Sequence, residues 1–260
     1  MGTSSSYKGS SGKIPRALRD GLNDWADAQS GGKPTDIPQR VVAQALRIPT
    51  FSRNSGGGGS GGGGGGAGGS AGGGRSGGRQ SAPQRRIASY AGTAGRAAAL
   101  ARALRDGDRA AIERAGLDFD VLSKLSNRAE LVRAIVDVVC AAQPGSDISS
   151  EEQRQIAGKL VDWMLDEQTN QAIPVAAATA EHAIGLIAAE IFLSEAGDDL
   201  VSHDGLSREE MIARINATSQ AIASKANLSD TATDADSISK AISKGIRALR
   251  KIYPAEVPSS

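Results

Sequence analysis

The residues best placed to do chemistry in this 260-residue chain stand at its start, MGTSSSYKGSSG. A methionine before a small residue is normally clipped, which makes Gly2 the mature N-terminus. An α-amino group has a pKa of about 7.7–8.0, far below that of lysine. A useful fraction is therefore an uncharged nucleophile near neutral pH. Glycine adds no side chain, so the amine can enter a narrow site. Behind it, Thr3, Ser4, Ser5, Ser6, Tyr7, Gly9 and Gly12 form a small, polar, spaced pattern. Such a segment builds no core and suits insertion into another protein's pocket. Gly2 and Ser6 also fit the short Met-Gly-x-x-x-Ser/Thr pattern of N-myristoylation, which is often met by chance.

The rest of the chain is poor in catalytic constellations, and no catalytic residue is assigned. His182 and His203 are its two histidines. His182 lies in an apolar helical pattern beside Glu181 and reads as a satisfied structural group. Ser202-His203-Asp204 is contiguous, whereas a catalytic triad is assembled in space, so it reads as a loop. One cysteine and two histidines are too few for a zinc site without several carboxylates, and no metal or cofactor is expected. The glycine run over 56–78 contains chance GxGxxG matches, but none lies between a strand and a helix. Arg75, Arg79, Arg85 and Arg86 could touch phosphates as an RGG-like segment does. With only Tyr90 nearby for stacking, they read better as solubilising linker charge.

The elements that must carry these residues are helical. Seventeen of the 33 glycines fall in the 25 positions 55–79, and the remainder is rich in Ala, Leu, Ile and Arg. The scarcity of aromatic residues argues against a β-sandwich. No segment alternates with period two, and no repeat suggests a solenoid. The pattern predicts an all-α fold, a compact bundle of six or seven helices behind a long flexible Gly-rich arm. Its divisions are an extended motif (1–14), short weakly ordered amphipathic helices (15–53), a disordered Gly/Ser linker (54–84) and a helical domain (85–255). As a coil, the 31-residue linker spans roughly 30 Å, and fully stretched about 100 Å.

Within the arm, Pro15–Ala28 carries Leu18, Leu22 and Trp25 at helical spacing, a possible docking helix. Pro38–Arg47 is a second short helix. In the body, helices are expected over Arg85–Asp106 and over Arg109–Ala115, capped by Asp108 and stopped by Gly116. One or two turns follow over Asp118–Leu125, then a helix from Asn127 to Ala142. Ser149 and Glu152 form a capping box for a helix to Asn170, and Ser207 and Glu210 form another for a helix to Ala226. Between them, Pro174–Gly197 reads as a buried helix rather than a membrane span, because Glu181, His182 and Glu190 interrupt it. The last helix, capped by Ser229 or Asp230, runs to Tyr253, with Gly245 at a tight-packing position.

Charge is divided along the chain. Residues 1–90 hold 12 Lys/Arg against 4 Asp/Glu, a net +8; residues 91–260 hold 18 against 25, a net −7. A basic arm tied to an acidic body can visit acidic surfaces or nucleic acid. Cys140 is alone, so no intramolecular disulfide forms and a reducing compartment fits. With no apolar signal-peptide core in residues 1–30, a cytoplasmic location is expected.

The start Gly2–Gly12, Pro15 with a short Leu/Trp helix, a low-complexity linker and an Ala-rich helical domain together resemble the QatB family. These are accessory proteins of the bacterial Qat anti-phage defence system. The likeness is most specific over Gly2–Gly12 and architectural beyond. The family start continues into a Pro-Leu, Pro and Trp-Leu stretch, where this chain reads Ile14-Pro15-Arg16-Ala17-Leu18 with Trp25 later. The resemblance implies three partners: a QueC-like enzyme of the QatC type, an ATPase and a TatD-like nuclease. It implies that Gly2 takes the place of ammonia in attacking an ATP-activated 7-deazaguanine carboxylate, with Thr3–Tyr7, Gly9 and Gly12 as the recognition segment. The chain would then be a modification substrate and no enzyme, its helical body docking the partner. The alternative is a nucleic-acid-associated or scaffold adaptor using the basic arm; an enzyme around His182 ranks third.

Overall fold

A helix that is apolar on every side must be covered on every side. Ala176–Ala196 comes close to such a helix, with Glu181, His182 and Glu190 as its polar interruptions, and the other described helices are arranged around it. The computed structural model describes residues 13–28, 35–48, 82–141, 150–197, 200, 207–229 and 231–255. These residues form ten α-helices and no strand. In order they are α1 (Lys13–Ala28), α2 (Gln39–Ala43), α3 (Ala82–Asp106), α4 (Arg109–Arg114) and α5 (Phe119–Leu122). Then come α6 (Arg128–Ala141), α7 (Ser150–Leu165), α8 (Ala176–Ala196), α9 (Arg208–Ala223) and α10 (Ala235–Ile252). Short 3-10 turns extend α2 (Gln44–Arg47) and α9 (Ser224–Ala226). The all-α expectation holds.

Helix α8 sits at the centre, against α7, α9, α10 and α3 and against the arm. It is long and apolar enough to cross a membrane, yet 67% of its apolar window is buried inside the protein. Gly245 of α10 is the close approach its position suggested: a Cβ there would lie 2.5 Å from Cδ1 of Ile184 on α8.

Local signals set most boundaries. The Asp108 carboxylate accepts from the Ala111 amide at 3.0 Å and starts α4. Gly116, at φ +88°, stops the following turn in the left-handed region open to glycine. Ser207 and Glu210 satisfy each other's backbone amides at the start of α9, as the capping-box spacing requires. Two boundaries differ from expectation. Helix α7 ends at Leu165, not Asn170, because the Asp166 carboxylate accepts from the Gln168 amide and the Thr169 hydroxyl and turns the chain. Helix α10 starts later than expected, because Asp234 is the residue that caps it, through the Ser237 amide at 2.9 Å. Ser149, Asp230 and the 201–206 loop with His203 lie outside the described residues.

The arm is where the structure most changes the sequence reading. Leu18, Leu22 and Trp25 are 0%, 1% and 5% exposed and belong to the same core as α8, α9 and α10. They are not a free docking helix. Their stripe, with Val42, Ala45 and Leu46, covers a face of α8 and α9 that the later helices leave open. Gly21 permits this approach, since a Cβ there would stand 2.9 Å from Val41 Cγ2. Polar contacts fasten the edge. The Trp25 indole donates to the Thr35 carbonyl at 3.2 Å. Arg47 donates to the carbonyls of Tyr253 and Arg250, and Arg250 donates back to that of Leu46. The two guanidiniums thereby satisfy carbonyls that helix ends leave without partners.

Candidate functional site

Gly2, Thr3, Ser4, Ser5, Ser6, Tyr7, Gly9 and Gly12 lie outside the described residues. What the structure gives is their root. The described chain enters the body at Lys13, and α1 is held by four buried side chains, Pro15, Leu18, Leu22 and Trp25, within its first thirteen residues. Gly2 stands eleven positions before that root, a separation of at most about 40 Å. Arg75 and Arg79 of the glycine run also lie outside the described residues.

Arg86 needs a correction. Read from sequence as linker charge, it is 4% exposed, inside the first turns of α3. Its Nη2 donates to both Glu152 oxygens at 3.0 Å, and its Nε donates to the Tyr90 hydroxyl at 2.7 Å. Tyr90 and Ser194 donate to the same carboxylate, and Glu195 stands 4.0 Å from the guanidinium. Ser89, Thr93 and Gln153 continue this polar seam between α3 and α7. Burial alone would raise the Glu152 pKa, but the Arg86 charge and hydrogen bonds from Ser194, Tyr90 and Arg86 outweigh it and hold it below the ordinary value. Burial, despite the neighbouring Arg86 charge, drives the Tyr90 phenol well above its usual pKa. The cluster thus ties α3 to α7 and α8 as a buried ionic knot. Its sequence signal was the spacing of Arg86, Ser89, Tyr90 and Thr93, which puts four polar side chains on one face of a helix.

His182 of α8 stacks on Trp163 of α7, with ring centroids 4.0 Å apart and planes 14° apart. Burial lowers its pKa to about 4. The imidazole is therefore neutral at pH 7 and forms part of the α7–α8 seam. The depressed value fixes the sign of its linkage. The unfolded chain takes up the proton first, near pH 6.5, so stability present above that pH is lost as pH falls toward 4. The melting temperature of the wild type is expected to fall between pH 7 and 5. In His182→Gln that slope should flatten, and an unchanged slope would remove His182 from the account.

Among the described residues no three His, Cys, Asp or Glu side chains come together in a way that could hold a metal. A groove of about 460 Å³ opens between α3, α4 and α6, walled by Leu100, Ala111, Val138 and Val139 with Arg96 and Arg114. Cys140, on α6, is half-buried, and burial pushes its thiol pKa up, away from the reactive range. Comparison of the chain with protein-family models, curated proteins and solved structures gives no match.

Proposed function

We propose that this protein is a non-enzymatic component of an anti-phage defence system. Its N-terminal Gly2, freed by removal of Met1, is presented to a QueC-like enzyme and modified with a 7-deazaguanine. In that step the Gly2 nitrogen bonds to the activated carboxyl carbon, the ATP-derived group leaves and the amine loses a proton. The chain supplies the nucleophile, and the partner supplies the activation. The ATPase and the TatD-like nuclease of the same system are further partners in this reading, and its setting is the reducing cytoplasm.

One observation supports it above the others. The small, polar Gly2–Gly12 motif is followed at once by a helix rooted in the protein's own core. A substrate tail needs a free tip and a body by which the enzyme can hold it, and a rooted α1 supplies that division. Docking then falls to the outer surface of the helical body, since α1 faces inward.

Mass spectrometry of the N-terminal peptide, with and without a co-expressed QueC-like partner, tests this. A deazaguanine-sized adduct on Gly2 is expected only with the partner, and none when an extra residue blocks the glycine. A Met-clipped but unmodified Gly2 beside an active partner would end the proposal.

A further inference from the structure

Helix α10 carries two faces of opposite character. Ile238, Ala241, Ile242, Ile246 and Leu249 point into the core. On the other side Lys240, Lys244, Arg247 and Lys251 are all exposed. Their spacing of four, three and four places them within an arc of about 60°, along about 16 Å of helix. Beyond Asp236 the helix contains no acidic residue.

Among the described residues the stripe has no carboxylate partner either. Several surface cations elsewhere reach carboxylates: Arg109 meets Asp120, Arg128 meets Asp162 and Asp166, and Lys159 meets Glu190. None of the four α10 cations does, although Asp236 stands one turn before Lys240. Helix α3, packed along α10, contains no Asp or Glu before Asp106. On a body whose residues 91–260 sum to −7, this is a straight row of like charge.

We infer that the exposed face of α10 binds the phosphate backbone of nucleic acid, without reading its sequence. A duplex strand offers a phosphate about every 3.4 Å of its axis, a uniform array that a uniform row of cations can follow. A protein surface of mixed sign matches such a row less well. A membrane surface would need bulky apolar side chains beside the cations, and the apolar face of α10 is already in the core. Only Ile252, 51% exposed, stands at its end. No aromatic side chain lies on the stripe for base stacking. This site is separate from the Gly2 chemistry and from the arginines of the glycine run.

The test uses the full chain and a fluorescent 24-bp duplex of mixed sequence, titrated at several salt concentrations. Changing Lys240, Lys244, Arg247 and Lys251 together to Gln should weaken binding by at least about tenfold and lower the log–log salt slope by about 3 to 4. The positions are exposed, so the thermal melt should stay unchanged. Lys240→Arg, Lys244→Arg and Lys251→Arg together should keep binding. Wild-type affinity and slope in the Gln variant would overturn the inference. So would equal binding of wild type to poly-glutamate or to phosphatidylserine vesicles.

Discussion

Arg86→Met is expected to lower the unfolding free energy by about 3–5 kcal/mol, the usual cost of removing one partner from a buried ion pair. The side chains of Glu152 and Glu195 are 15% and 5% exposed and share Arg86 as their cation. Without it, both buried carboxylates lose that cation, while Tyr90 and Ser194 still donate to Glu152. The pH dependence carries a sharper signature. In the wild type the Glu152 pKa is depressed, so its contribution is present above the unfolded value of about 4.3 and is lost as pH falls through the folded one. In the variant the Arg86 charge is gone and burial is opposed only by the hydrogen bonds from Ser194 and Tyr90, so that pKa moves up relative to wild type and less stability is lost in acid. The two stability curves should therefore converge in acid. Arg86→Lys keeps the charge without the planar fork and should fall between them. Urea melts of the three proteins at pH 7 and pH 4.5 decide it. A methionine variant within about 0.5 kcal/mol of wild type at pH 7 would sink the argument.

Arg86 also shows where reading the sequence stopped short. It stands just past the Gly/Ser linker that composition draws to residue 84, among arginines read as linker charge, whereas α3 begins at Ala82 and takes it into the core. Nothing local shows that a guanidinium will meet Glu152, 66 residues away. The signals that were legible act over one turn: Asp108 capping α4, Ser207 with Glu210 opening α9, and Gly116 ending a turn. Gly245 was legible because a glycine inside an apolar stripe marks close packing. Asp166 was missed because its turn competes with a helix that the apolar pattern allowed to continue. The basic row on α10 stood in the sequence too, but its lack of counter-charge is a property of neighbours. The proposed Gly2 chemistry, by contrast, rests on sequence and on the root that α1 provides.

The arm gives the clearest separation between an amphipathic face and its user. From sequence, Leu18, Leu22 and Trp25 serve equally well as a surface for a partner or as core. In the structure Leu22 is 1% exposed, and Leu22→Ala is expected to cost about 3 kcal/mol, the middle of the range for a buried leucine. The two roles predict opposite results for the protein alone. As core, Leu22→Ala lowers the urea midpoint without any partner, and the Trp25 indole, now 5% exposed, becomes solvated at lower urea. As a docking face, the variant melts like wild type and loses only partner binding. Trp25 fluorescence against urea, with the Trp163→Phe background removing the second indole, separates them. A shared midpoint would free α1 to meet a partner and would undercut the rooted tip on which the proposed function leans. A lowered one keeps α1 as the fixed base of the N-terminal segment and directs partner mapping to the outer helices.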